Sequence, residues 1–283
     1  MRVVIADLGS RHADTGIEID AISDIHYGHP DHDPKIVARE IEWLQGADNR
    51  YAFLAGDMCE TALRDSVGEV YTQTIPPQQQ AEIVVSDFAP VKKKILGAVG
   101  GNHEARVFKL TGYDPAMLYA PQLGVPYQAE GMLLVVRFGA KRRTRNSGDA
   151  YDQASTYAIY VTHGWGAART IGAKLKNVSE LARVVTNADI YIAGHNHQPG
   201  YYPLDAFEIT HGRSGIVARR RTQHFISLGS ALDYAGYAQV KGMSPTTMAF
   251  PKICLLPYVS RKRDGDNALP IVRVTFDQMA RAA

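Results

Sequence analysis

Short apolar runs, each closed by small or turn-forming residues, recur through the first two-thirds of the chain. They are Ile17 to Ser23, Tyr51 to Ala55, Ile95 to Val99, Met132 to Phe138, Thr156 to Thr162 and Asp189 to Ala193. Runs of this length, rich in β-branched and aromatic residues, predict strands. Pro34 opens a stretch in which Val37, Ile41 and Leu44 fall on one helical face before Gly46, so strand and helix alternate there. Ser179 to Val185 predicts a second helix, with Val178, Leu181 and Val185 on one face. Gln80 to Lys94 predicts a third, interrupted by Pro90. After Gly200 the pattern turns strand-like: Leu204 to Thr210, Ile216 to Arg219, His224 to Leu228, Lys252 to Leu256 and Ile271 to Phe276. Lys141 to Gly148 reads as an exposed loop. This order predicts an α/β layered fold in one domain over 1–283, with a motif-bearing core over about 17–200 and a mostly β part over 201–283.

Composition narrows the class. The chain has 283 residues, 31 Lys plus Arg and 29 Asp plus Glu, a formal charge of +2 that announces no polyanionic partner in bulk. No apolar run reaches the length that spans a bilayer, so no membrane partner is expected and a cytoplasmic location is. Cys59 and Cys254 form neither a metal-type pair nor a disulfide framework, which agrees with a reducing compartment.

Chemistry collects at the ends of five predicted strands. The segments read Ser23-Asp24-Ile25-His26, Gly56-Asp57, Gly101-Asn102-His103-Glu104, His163-Gly164 and Gly194-His195-Asn196-His197. In open α/β sheets, ligands bind beyond the carboxyl ends of strands, so these clusters are expected to meet in one crevice. Asp24, His26, Asp57, Asn102, His163, His195 and His197 offer carboxylate, amide and imidazole donors without a thiolate. That set suits Mn, Fe, Zn or Ni, and it is enough for two metals if one carboxylate bridges. The adjacent glycines are expected to let the backbone turn tightly, in places with positive φ.

In this order, DxH, GD, GNHE, HG and GHxH, the segments resemble the calcineurin-like metallophosphoesterase superfamily over roughly Ile17 to His197. The resemblance implies a four-layer α/β/β/α sandwich, two mixed sheets flanked by helices, with two divalent metal ions, Mn first and Fe, Zn or Ni as alternatives. It assigns Asp24, His26 and His197 to the first metal, Asn102, His163 and His195 to the second, and Asp57 to a bridge. It further implies that His103 faces the substrate phosphate as a charge stabiliser or proton donor and that Glu104 orients its neighbours. A metal-bridging hydroxide attacking phosphorus in line is the implied mechanism.

The substrate is a phosphoester of undetermined kind. The Thr162 to Gly166, Gly194 to His197 and Gly229 to Pro245 segments are similar to phage- and prophage-encoded members. That likeness favours a phosphodiesterase in the host cytoplasm, with a nuclease acting on DNA or RNA as its narrower form. A phosphomonoesterase of nucleotides or phosphoproteins is the alternative. A binding or scaffold protein with a vestigial metal site is the alternative from another class, disfavoured because no expected ligand is missing. Asp57 is followed by Met58-Cys59-Glu60-Thr61 rather than the VDRG of protein Ser/Thr phosphatases, which argues against that activity. Neither Arg106 nor Arg169 is placed in the site by the pattern. Basic runs usually mark solvated faces, and Arg219, Arg220 and Arg221 are the first to consider for substrate or nucleic-acid contact. Tyr234 is a candidate pocket residue, with core packing as the alternative. His12, His29, His32, His211 and His224 read as hydrogen-bonded structural residues. Subunit number is not legible.

Overall fold

The computed structural model describes residues 2–64, 66, 70–144, 150–166, 168, 170–212, 215–236, 239, 242, 244–258 and 270–276. The side chains of 141–144, 150–153, 210–212, 217 and 219 are outside that description. Two six-stranded sheets face each other. One contains β1 (Val3–Asp7), β6 (Met132–Thr144), β7 (Ala150–Thr162), β8 (Ile190–Ala193), β10 (Gly215–Ser227) and β9 (Gly200–Gly212), in that spatial order. The other contains β12 (Ile271–Phe276), β11 (Pro251–Leu256), β2 (Ile17–Ile22), β3 (Arg50–Leu54), β4 (Ile95–Val99) and β5 (Tyr127–Gln128). Both are mixed: β2, β3, β4 and β5 run parallel, as do β7, β8 and β10, while β11 and β9 pair antiparallel with their neighbours.

Alternation along the strands builds the layers. Ile17, Ile19, Tyr51 and Phe53 point inward from one sheet and meet Leu134, Val136, Ile159 and Ile192 of the other. The opposite faces of the strands are also apolar, so each needs a cover. Ile22, Leu54 and Ala98 pack under α1 (Pro34–Gln45), α2 (Pro77–Phe88) and α4 (Ala116–Leu123), while Tyr160, Tyr191 and Phe225 pack under α5 (Ile171–Ser179). The result is the expected sandwich of helix, sheet, sheet and helix.

Helix α1 begins where the pattern places it: the Asp33 carboxylate accepts from Lys35 N at 2.9 Å and Pro34 occupies the first turn. Its docking includes a buried ionic group, in which Lys252 Nζ of β11 contacts Asp20 Oδ2 of β2 at 2.8 Å and the Glu40 carboxylate of α1. The ammonium also lies 4.4 Å from the Trp43 ring centroid. Burial pulls Lys252 down, but Asp20 and Glu40 overcome it and hold the ammonium above the ordinary lysine range.

Several expectations need correction. The helix expected over Gln80 to Lys94 is α2, ending at Phe88, followed by a 3-10 segment over Ala89–Lys94, because Pro90 cannot donate to the helical ladder. The apolar positions Val178 and Leu181 do face the sheet, yet the α-helix is α5 and precedes the expected span. Only a 3-10 turn, Glu180–Arg183, lies within it. The expected loop over Lys141 to Gly148 is strand up to Thr144, and 145–149 lie outside the described residues. The pieces Ile216 to Arg219 and His224 to Leu228 are one continuous strand, β10, paired with β9 from Gly215↔Gly212 to Ser227↔Gly200. Its exposed outer half has no core to face, so no alternation marks it. Edge strand β1 and helices α3 (Asn102–Thr111) and α4 were not anticipated. Among the described residues, no helix is long and apolar enough to cross a membrane.

Candidate metal centre

Strands β2, β3, β4, β7 and β8 end at Ile22, Leu54, Val99, Thr162 and Ala193. The residues that follow each end meet at one edge of the sandwich. The backbone there is bent in an unexpected place. The expected positive φ is present at Gly56 (87°) and Gly164 (89°), and Asp24 (φ 52°), His26 (54°), Asp57 (51°), His195 (67°) and His197 (50°) are left-handed as well, so five of the seven candidate ligands share it. Gly101 and Gly194 serve close approach instead. A Cβ on Gly101 would stand 2.1 Å from Asp57 Oδ1, and one on Gly194 would stand 2.2 Å from Ser23 Oγ.

Two groups of donors result. In the first, His197 Nε2 lies 3.0 Å from Asp24 Oδ1 and 3.3 Å from His26 Nε2, with His26 Nε2 3.9 Å from Asp24 Oδ1. In the second, Asn102 Oδ1 lies 3.0 Å from His163 Nε2 and 2.7 Å from His195 Nδ1. Asp57 Oδ2 stands between them, 3.0 Å from His163 Nε2 and 4.0 Å from His26 Nε2. Donors bound to one cation at about 2.1 Å stand roughly 3 to 3.5 Å apart, and the separations within the groups, 2.7 to 3.9 Å, bracket that range. A third combination, His26 with Glu60 and His103, is also close enough to hold an ion.

Tautomers strengthen the fit. His26 Nδ1 donates to Glu60 Oε2 (2.9 Å), His163 Nδ1 to the Ala55 carbonyl (2.9 Å) and His195 Nε2 to the Gly166 carbonyl (2.9 Å). With the outer nitrogen held by these acceptors, each ring turns its other nitrogen inward, toward the carboxylates. Asp24 is fully buried, and its Oδ1 is left without an aligned hydrogen-bond donor while Oδ2 accepts from Ser23 Oγ at 2.6 Å and His195 N at 3.0 Å. Inward ring nitrogens around an orphaned carboxylate oxygen are costly unless a cation or a proton sits among them.

The two carboxylates, Asp24 and Asp57, attract positive charge strongly, and where no cation takes that place His163 carries it as a proton. Burial raises the Asp24 carboxyl, but His197 and His163 bring it down to about 2. Burial likewise opposes the charge on His163, yet Asp57 and Asp24 raise its imidazole to about 10. Burial and the neighbouring His103 lower His26 to about 4. Glu104 is buried, and its carboxylate accepts from the backbone N–H groups of Gly101, Asp57, Met58 and Cys59 at 3.0 to 3.3 Å. Burial and the Asp57 charge push it up to about 7, against four donors that favour the ionised form. It ties the Asp57 loop to the start of α3.

Glu60 escaped the sequence reading. It is buried, bonds His26, and offers its carbonyl to His103 Nδ1 at 2.5 Å, so one residue orients two rings. Its spacing, three residues after Asp57, is the signal that could have found it. His103 Nε2 remains 3.8 Å from Asp57 Oδ2.

Other candidates stand elsewhere. Arg221 pairs with Asp189 Oδ1 at 2.7 Å and with the Asn187 carbonyl, just before the amino end of β8 and so opposite the edge that carries His195. It has a structural partner and is not brought to the cluster. Arg220 is exposed on the same arm, 3.7 Å from Asp205, and Arg219 has a described backbone only. Tyr234 is half-buried in a segment that returns to the site edge, where Ala231 N donates to the Asp24 carbonyl and Asp233 N to the Asp31 carbonyl. His12, His32 and His224 have hydrogen-bond partners in Tyr51, the Ile25 carbonyl and Tyr201, and His29 Nδ1 accepts from Asp31 N. The His211 side chain lies outside the described residues.

No protein-family model matches the chain, and no curated protein matches it. Solved structures similar to it include YfcE, a phosphoesterase from E. coli, at 14% identity over 85% of this chain and 92% of that one, TM-score 0.38. The calcineurin-like phosphoesterase YfkN from Bacillus subtilis is 10% identical over 74% and 90%, TM-score 0.34. A putative 5'-nucleotidase from Staphylococcus aureus is 10% identical over 93% of this chain but 53% of its own, TM-score 0.42. The expected similarity to phage- and prophage-encoded proteins finds no support among these.

Proposed function

We propose that the chain is a dimetal phosphoester hydrolase of the calcineurin-like metallophosphoesterase type, acting on phosphodiesters. The observation that carries the reading is the inward-facing ring nitrogens of His26, His163 and His195 around Asp24 and Asp57. Asp24, His26 and His197 would hold one divalent cation and Asn102, His163 and His195 the other, with Asp57 serving both. When bound, such a pair supplies a water acidic enough to ionise near neutral pH and positive charge for the phosphoryl oxygens.

The chain's own residues do the rest. Glu60 and the Ala55 and Gly166 carbonyls fix the rings that hold the charge. Glu104 holds the loop that presents Asp57. His103, its Nδ1 engaged by the Glu60 carbonyl, keeps Nε2 as the atom that holds a proton for the leaving oxygen. A phosphomonoester dianion asks for one more positive group than a diester monoanion. Among the described residues, no guanidinium bonds to the cluster: Arg106 bonds Ser66 Oγ, and Arg169 lies outside the description. That favours the diester, and a nuclease is its narrower form.

The test is hydrolysis of bis-p-nitrophenyl phosphate against p-nitrophenyl phosphate with Mn, Fe, Zn or Ni, followed by labelled single- and double-stranded DNA and RNA. Faster turnover of the diester is expected, and the opposite ranking removes the diesterase reading. Failure on every ester with every metal, in protein that binds none, leaves a scaffold.

A further inference from the structure

The phosphoester reading says nothing of what the phosphate is attached to; the segment after His163 does. Trp165 is flanked by Gly164 (φ +89°) and Gly166 (φ +114°), conformations that let the chain double back on both sides of the indole. Gly166 gives its carbonyl to His195 Nε2, and His163 precedes Gly164, so Trp165 is held between two candidate ligands of the same cation. Trp165 is 51% exposed and also lines a small cavity with Asn177, Val178 and Leu181 of the α5 region and Asn196 of the histidine loop. That region is braced: Lys174 Nζ donates to the Asn196 carbonyl at 2.8 Å, and Thr170 caps α5 through Ala173 N. A large, half-exposed ring on a segment anchored beside the candidate metal centre can serve as a stacking surface.

We propose that Trp165 is the platform on which a planar aromatic leaving group stacks while its phosphate occupies the candidate metal centre, so that the substrates are esters of nucleosides or other aryl alcohols. Trp165 selects the substrate; it does not touch the reacting atoms. This rests on the phosphoester reading above.

The test compares wild type with Trp165→Ala and Trp165→Phe on a dinucleoside monophosphate and on the same diester lacking the base at its leaving side, so that the leaving alcohol is unchanged. The ratio of kcat/KM for the two esters is expected to fall about tenfold in Trp165→Ala, within the range measured for one base–aromatic stack, and to recover in part in Trp165→Phe. A ratio within about twofold of wild type overturns the proposal. Bis-p-nitrophenyl phosphate separates the two sources: an equal loss there shows recognition of any aryl ring, and no loss shows recognition of the base.

A second readout needs no turnover. The chain has two tryptophans, and Trp43 lies under Arg50 and Lys252. Adenosine monophosphate is expected to quench Trp165 fluorescence, and the quench is expected to vanish in Trp165→Ala. If no variant cleaves any ester, the hydrolase reading fails and the quench alone decides the platform: its presence supports stacking and its absence removes it.

Discussion

Asp24, His26, Asp57, His195 and His197 occupy left-handed backbone that costs about 1 to 3 kcal/mol at each non-glycine residue. Strain gathered on side chains that also aim their donors at shared points is difficult to account for without a ligand at those points. Asp57→Asn removes the carboxylate standing between the two donor groups. Metal content is expected to fall below two per chain and activity to fall by about a thousandfold or more, as elemental analysis and diester hydrolysis would show. His103→Ala is expected to keep both metals and to lose about 10²- to 10⁴-fold in turnover, the worth of a positioned proton donor. Glu60→Ala frees the outer nitrogen of His26 and is expected to weaken Mn binding by about 10- to 100-fold in a calorimetric titration. The donor residues were legible in the sequence because they cluster just past the ends of apolar runs, four of them, Asp57, Asn102, His163 and His195, directly beside a glycine. Glu60 was less so, since its spacing from Asp57 is a signal of position and does not tell a buried carboxylate from an exposed one. Nor was positive φ legible on the ligand residues themselves, beyond that expected at glycines such as Gly56 and Gly164.

At the scale of elements, periodicity found what faces a core and missed what does not. Strands β2, β3, β4, β7 and β8 each turn an apolar face to the opposite sheet and are bounded by turns, and α1 has one clean stripe ending at Gly46. By contrast, β1 is an edge strand with Val3 and Ile5 exposed, and α5 buries only Val178. The outer half of the β9–β10 ribbon lies in solvent, where no alternation is required. The ionic group between α1 and the sheet was also hidden, because Asp20, Glu40 and Lys252 are far apart in sequence. Lys252→Met leaves the buried Asp20 without its cation and Glu40 with Arg39 alone, and is expected to cost about 3 to 5 kcal/mol in denaturant unfolding. The pH dependence has a definite sign. Lys252 is held above its unfolded value, so its contribution is complete below about pH 10.4 and is lost as pH rises through the folded value. Wild type is therefore expected to lose stability on that alkaline limb and Lys252→Met to lack this component of the loss.

Across the whole molecule, five strand ends from two facing sheets bring together residues from Asp24 to His197, so binding at that edge is coupled to the packing of both sheets. A divalent cation that binds the folded chain at a hundred times its Kd adds about 2.7 kcal/mol to stability. Mn is therefore expected to raise Tm and EDTA to reverse the rise, in wild type more than in Asp57→Asn. The most direct measurement is anomalous scattering from crystals grown with Mn. Two peaks are expected, about 3.5 to 4 Å apart, one against Asp24, His26 and His197, the other against Asn102, His163 and His195, with Asp57 touching both. A fully ordered site edge without anomalous density at millimolar Mn, or with density only on other residues, would contradict the account.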